Sequence, residues 1–205
     1  DTDRSRGLGD VYKRQIIYMY TEAFGRASYL VSRSRGKKST VSKALFIPLS
    51  VLEMEVEHLN KRDLHRIKET RICFPLNDVC CDPVKNVLAL FLSEVLFRVV
   101  KDTEPDPRLF DYLYESIHLL EYADKGIANF HMVFLLGLLH HLGIFPNMES
   151  HRVGYYFDML NGVFTDHIPM HRHYLNKVES AFFSRLLRIS FENMSLYGFS
   201  RQERV

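Results

Sequence analysis

Residues 24–43, FGRASYLVSRSRGKKSTVSK, connect two segments that have the alternating pattern of β-strands. The stretch carries six cations, and no carboxylate occurs between Glu22 and Glu53. These cations are Arg26, Arg33, Arg35, Lys37, Lys38 and Lys43. A cationic loop on a small sheet attracts phosphate backbones through counterion release, whatever the base sequence. The stretch therefore predicts a polyanion-binding loop, and the alternative is an ordinary solvated surface loop.

Alternating residues on both sides of this loop predict a small β domain. Four segments show the alternation: residues 16–22, 27–31, 45–58 and 64–72. In the third segment, Glu53, Glu55 and Glu57 share one face, which predicts a solvated strand surface rather than a cation site. Several short strands linked by turns predict a small closed barrel.

From Asp82 onward the apolar period becomes that of α-helices. Asp82 precedes Pro83, and Asp106 precedes Pro107, so each pair places a capping carboxylate before a proline at the first helical position. Apolar residues follow both pairs at helical spacing. The sequence therefore predicts two amphipathic helices after the strands.

The rest of the chain predicts a buried helix, a hairpin and a last helix. Residues 127–142 are apolar nearly all round and end at a glycine, as a central bundle helix does. Asn161-Gly162, between two alternating runs, predicts a β-hairpin over residues 155–168. A helical pattern covers residues 176–190. The fold class is therefore α+β, with a β domain at 16–75 and a helical domain at 82–205 that carries a hairpin insertion.

The composition is that of an ordinary globular protein. The 205 residues include 46% apolar and 25% charged residues, which is enough chain for one large domain or two small ones. The formal net charge is only +2, so an electrostatic argument must rest on local asymmetry. Cys73, Cys80 and Cys81 form no paired framework and suit a reducing compartment. We expect no signal peptide, and because histidines and glycines interrupt the longest apolar run, no membrane span is predicted.

Residues for catalysis or metal binding are few. His167, His171 and His173 could supply imidazole ligands to zinc, but Pro169 interrupts any helix that would align the first two. Residues 16–205 contain no Gly-rich phosphate loop, nucleophile elbow or Ser/His/Asp pattern. We therefore predict no enzyme, no cofactor and no metal site. A metal-dependent enzyme that uses this histidine cluster is kept as the least favoured hypothesis.

Aromatic residues lie close to the cations. Tyr18, Tyr20, Phe24 and Tyr29 belong to the strands around the loop. Stacking on such rings holds single-stranded nucleic acid and contributes about 1–3 kcal/mol per base. Because alternation sends about half of the rings into the core, at most two remain for stacking, and we assign this role to Phe24 and Tyr29.

Segments throughout the chain resemble RecO, a family of bacterial DNA repair and recombination mediators, in its Bacteroidetes-type members. The similarity covers residues 16–205. It is carried by YTExFGRxSYLV at 20–31, RGKKS at 35–39, RIKE at 66–69, ALFLSEVL at 89–96, ANFH at 128–131 and GIFPN at 143–147.

The resemblance implies an N-terminal OB-fold barrel and a helical domain, in agreement with the patterns above. It implies a cytoplasmic, nucleoid-associated protein that binds single- and double-stranded DNA and anneals complementary strands. It further implies action with RecR in the RecF pathway of double-strand break and gap repair, binding of the acidic tail of single-strand-binding protein, and help in loading RecA. The DNA contacts then fall on the six cations of the loop, with Arg66 and Arg71 as weaker candidates. The alternative is an adaptor whose helical domain binds a partner peptide.

Two departures from the family pattern lead to further expectations. Many relatives carry a four-cysteine zinc finger at about 150–175, where this chain has no cysteine, so we expect no zinc. Residues 1–15 resemble translated adapter sequence and are expected to be non-native. The chain is accordingly expected to be a fragment at both ends, without the first barrel strand and the end of the last helix. Loss of that strand would expose an unpaired sheet edge.

Overall fold

A computed structural model describes residues 14–32, 43–58 and 63–200. The chain divides into two compact units, the first ending at Tyr122 and the second beginning at Ala123. The predicted domains at 16–75 and 82–205 instead follow the change from strands to helices, which lies between Ile72 and Asn77. The first helices therefore belong to the same compact unit as the sheet.

The first unit contains a four-stranded sheet. Its strands are β1 (Arg14–Thr21), β2 (Gly25–Ser32), β3 (Leu52–Glu57) and β4 (Leu64–Ile72). The order is β1-β2-β4-β3, with β2 and β4 parallel and the outer pairs antiparallel. Alternate residues of β2 (Ala27, Tyr29 and Val31) are buried and begin the core, as the alternation predicts.

The α+β class is confirmed, but closure of the sheet into a barrel is not observed. Among the described residues, β1 and β3 form the two ends of the sheet and are not paired with each other. Two features define the turn between β1 and β2: Thr21 Oγ1 accepts from Phe24 N at 3.1 Å, and Gly25 follows at φ 57°. A glycine fits there because other residues rarely adopt positive φ.

Three helices follow: α1 (Asn77–Cys81), α2 (Pro83–Val99) and α3 (Pro107–Tyr122). Both predicted caps are confirmed. Asp82 Oδ1 accepts from Val84 N at 2.7 Å, and Asp106 Oδ1 accepts from Arg108 N at 2.9 Å. Each carboxylate therefore satisfies an otherwise unpaired donor of the first helical turn.

Two buried charged residues join these helices. The carboxylate of Glu121, near the end of α3, accepts from Asp78 N at 2.9 Å and Val79 N at 3.0 Å, at the start of α1. Lys85 on α2 is only 4% exposed and donates to the Glu121 carbonyl oxygen at 2.6 Å. The carboxylate therefore lies at the positive N-terminal end of α1, and the ammonium group lies at the negative C-terminal end of α3.

The second unit contains α4 (Phe130–His141), α5 (Lys177–Leu186) and a small sheet. The strands are β5 (Tyr156–Asp158), β6 (Val163–Thr165) and β7 (Tyr174–Leu175), in the order β6-β5-β7. The hairpin predicted from Asn161-Gly162 is confirmed as β5 and β6, whereas the pattern did not indicate β7. α4 is buried through residues such as Phe130 and Phe134, as predicted. Within the described ranges, no helix is both long and apolar enough to cross a bilayer.

Candidate nucleic-acid interface

The cationic loop connects β2, which ends at Ser32, to β3, which begins at Leu52. Within the described part of this connection, a 3₁₀ turn spans Lys43–Leu45 and begins at one of the predicted contacts. The other predicted contacts of the loop, Arg33, Arg35, Lys37 and Lys38, lie outside the described residues. The structure thus describes the strands that carry the loop.

Arg26, near the start of β2, is directed at the end of a helix. Its Nη1 donates to Phe97 O at 3.0 Å and to Val100 O at 2.9 Å, at the end of α2. The guanidinium lies 4.8 Å from the Phe97 ring centre and 5.4 Å from that of Tyr18. Helix C-terminal carbonyls lack intrahelical donors and carry partial negative charge. The structure therefore gives Arg26 a capping role and does not support the expectation that it contacts DNA.

The backbone of the same turn packs against the α2–α3 connection. Arg26 N donates to Asp102 O at 3.0 Å. A Cβ at Gly25 would collide with the carbonyl oxygen of Glu104. The conformation of residues 24–26 is therefore constrained both by the turn and by packing against the α2–α3 connection.

Cations of β4 lie beside carboxylates of β3. Arg71 Nε is 2.7 Å from Glu53 Oε2, and Lys68 Nζ is 3.5 Å from Glu55 Oε1. These side chains are more than half exposed, so each pair is worth no more than about 1 kcal/mol. Arg66 is also exposed on β4. This surface therefore carries both signs of charge, and Arg71 adds less net positive potential than its sequence position predicts.

The two rings assigned to base stacking differ in their surroundings. Tyr29 is 0% exposed, and burial raises the pKa of its hydroxyl. The expectation that Tyr29 stacks on a base is therefore not supported, because neither ring face reaches the surface. Phe24 is half-buried, and His58 covers one of its faces in a parallel stack with ring centres 3.8 Å apart.

The stack continues from His58 to a buried histidine, His65. Their ring centres are 3.9 Å apart with an interplanar angle of 21°, and His65 is 7% exposed. Burial lowers the pKa of His65, the neighbouring His58 lowers it further, and Asp63 partly opposes both effects. The stack was not predicted from the sequence. The one indication was the alternation of β4, which places His65 on the face opposite Leu64 and Arg66.

A cavity of about 590 Å³ lies within the first unit. Strand β1, the segment before β3, and helices α2 and α3 surround it, and its lining is largely aromatic and aliphatic. Among the residues the structure describes, no cluster of three or more His, Cys, Asp or Glu side chains could hold a metal ion.

Two of the histidines considered for a metal site each contact a different aspartate. His167 Nδ1 is 2.9 Å from Asp166 Oδ1, and His171 Nε2 is 3.2 Å from Asp158 Oδ1. Burial raises the pKa of Asp158, but hydrogen bonds from Asn161 and Leu160 outweigh it and lower the pKa to about 2. Asp158 therefore organises the β5–β6 turn.

Comparison with known proteins identifies the family. Residues 81–204 match the family model described as Recombination protein O C terminal. The chain belongs to the RecO family. The resemblance first observed in residues 20–31 and in the other matching segments is thereby confirmed, and membership of this family supports a role in DNA repair and recombination.

Relatives extend the similarity across the N-terminal strands. The chain is 42% identical over 191 residues to a protein of Bacteroides fragilis, covering 93% of this chain and 79% of the relative. It is 39% identical over 189 residues to one of Azobacteroides pseudotrichonymphae, covering 92% and 78%. A relative from Flavobacterium psychrophilum is 32% identical over 194 residues, covering 94% and 79%. Each is named DNA repair protein RecO.

Proposed function

We propose that this chain is a non-catalytic DNA-binding mediator of recombination, which acts in double-strand break and gap repair by the RecF pathway. It binds and anneals single-stranded DNA and assists RecA loading together with RecR. Membership of the RecO family is the observation that carries this proposal.

The charge distribution supports the DNA-binding step. Net charge is only +2, but six cations fall within residues 24–43 without a carboxylate. Four of them, Arg33, Arg35, Lys37 and Lys38, follow directly after β2. Since phosphate contacts do not depend on base sequence, affinity should be general for DNA and should fall steeply with salt. Lys43 and Arg66 are further contacts in this proposal, and the exposed part of Phe24 is the ring available for stacking.

The remaining features of the proposal follow from the family. In this proposal the sheet of the first unit belongs to an OB-type DNA-binding domain, and the helices after it serve as scaffold and docking surface. Double-stranded DNA, RecR and the acidic tail of single-strand-binding protein are partners, RecA is an indirect partner, and the protein acts in the cytoplasm at the nucleoid.

The test of DNA binding is a charge reversal in the loop. We expect the double variant K37E/K38E to bind a labelled single strand more weakly than the unmodified protein, whatever the base sequence. Fluorescence anisotropy at several salt concentrations measures both affinity and salt slope. Removing two phosphate contacts should reduce that slope by about 1.4.

The matched control is K101E/K125E, which makes the same charge change at two exposed lysines outside the loop. If both variants lost affinity equally, total charge would be responsible rather than the loop. Undiminished binding by K37E/K38E at low salt would show that the loop is not the contact surface.

One observation favours the adaptor as a second candidate. Helix α2 exposes Val84, Val87, Leu90 and Phe91, which are 44–64% accessible. Apolar side chains exposed together on one helix are typical of protein-binding surfaces. If the protein is an adaptor, K37E/K38E should retain partner binding. The unmodified protein should then bind DNA no more tightly than K37E/K38E does.

A further inference from the structure

Helix α5 of the second unit has an exposed basic face. Lys177, Ala181 and Arg185 are all exposed, and they lie about 40° apart in succession around the helix axis. The buried residues Ser180 and Ser184 lie about 60° and 20° from Lys177, on the side away from Arg185, so the exposed face borders the packed side of the helix. The first and last of the three exposed residues are eight apart, so their Cα atoms are separated by about 12 Å along the axis.

A third cation follows this face at the end of the helix. Arg188 is exposed, and its backbone N–H donates to Arg185 O at 3.2 Å, which continues the helical turn. Three cations therefore follow one another along α5 and the turn after it, with no carboxylate between them on this face.

The charges on this face are not paired within the described ranges. No ion pair there includes Lys177, Arg185 or Arg188. The one carboxylate of α5, Glu179, accepts from Asn176 N at 2.8 Å in the capping box and so belongs to the helix start. The positive charge of the face is therefore available to an external anion.

Two of these cations make cation–π contacts with aromatic rings. Lys177 Nζ lies 5.3 Å from the Tyr156 ring centre, and the Arg185 guanidinium lies 5.9 Å from that of Phe199. Such contacts orient a long side chain and reduce its freedom. Binding an anion then costs less side-chain entropy than it would for unsupported cations.

We propose that this face of α5 is a second nucleic-acid contact, which holds a second strand. The inference rests on the proposed function, because annealing requires two strands to be held close together. A nucleic-acid strand fits the face better than an acidic peptide does. The face presents cations with the small Ala181 between them, which suits contacts with backbone phosphates that are recognised through charge.

The experiment measures the two strands separately in the full chain. A donor-labelled single strand is bound first, and a non-complementary acceptor-labelled strand is then titrated while energy transfer is recorded at several salt concentrations. We expect K177Q/R185Q to bind the first strand with unchanged affinity and to lose binding of the second at 0.15 M salt. The salt slope for the second strand should fall by about 1.4.

K125Q/R152Q is the matched control, since it removes two positive charges from exposed residues elsewhere in the same unit. It should bind both strands normally, and circular dichroism confirms that both variants are folded. If K177Q/R185Q bound the second strand as the control does, or lost both strands equally, the inference would be wrong.

The unmodified protein separates the remaining outcomes. Failure to bind even the first strand would reject the proposed function, whereas binding of one strand alone would reject only the second contact. A glutamate-rich peptide that bound this face in place of the second strand would assign it to an acidic protein partner and overturn the inference.

Discussion

Replacing Arg26 with alanine removes a charged cap from the end of α2. Two hydrogen bonds are lost, to carbonyl oxygens at 3.0 Å and 2.9 Å. Hydrogen bonds that involve a charged group contribute about 1.5–3 kcal/mol, and partial exposure places this pair toward the lower end. The cation–π contacts with Phe97 and Tyr18 add about 0.5–1 kcal/mol. We therefore expect R26A to lose about 2–3 kcal/mol of unfolding free energy, and R26K about 1 kcal/mol because an ammonium lacks the planar fork.

Thermal unfolding followed by circular dichroism measures this loss. For a chain of this size, 1 kcal/mol corresponds to about 2–4 °C, so R26A should melt about 4–12 °C lower. Amide exchange should become faster around residues 97–106. The control R66A removes an exposed arginine from the same sheet and should change stability by less than about 0.5 kcal/mol. If R26A instead kept its stability and lost DNA affinity with a smaller salt slope, Arg26 would be a phosphate contact and the capping argument would be refuted.

Two further predictions concern buried groups of the first unit. E121Q should lose about 2 kcal/mol in urea unfolding, because the amide NH2 that replaces one carboxylate oxygen is itself a donor and cannot accept from the N–H group that it faces at the start of α1; equal midpoints for E121Q and the unmodified protein would contradict this. Because the folded state lowers the pKa of His65, the unfolded state binds more protons below pH 6.5, and stability should fall as the pH decreases through that value. H65F should flatten this dependence in urea midpoints measured at pH 7.5 and 5.5, and an unchanged pH profile would exclude His65 as its source.

Local rules of the backbone made much of the fold predictable from the sequence. Asp82 and Asp106 mark helix starts because an aspartate before a proline satisfies the first-turn donors. Asn161-Gly162 marks a hairpin because its turn needs positive φ, and Gly162 has φ 66°. These assignments depend on residues close together in sequence. β7 was missed because two residues, Tyr174 and Leu175, are too few to show alternation.

The candidate site was less predictable because side-chain roles depend on distant partners. Alternation alone places Tyr29 on one of two faces, and only the packing of the helices shows which face is buried. Arg26 appears in the sequence as one more cation of a basic segment. Its actual partners lie more than seventy residues later, at Phe97 and Val100. No local pattern could indicate that contact.

This difference changes where DNA affinity should be sought. A count of charges gives all eight predicted cations the same weight. Arg26, however, is hydrogen-bonded to a helix end, and Arg71 is paired with Glu53. A cation whose charge is already matched within the protein releases few counterions when DNA binds, and so adds little to the salt-dependent term. We therefore expect the affinity to come from other cations. In the first unit the sequence places four of them directly after Ser32, and in the second unit we propose the basic face of α5, which is why the two charge-removal experiments should affect different strands.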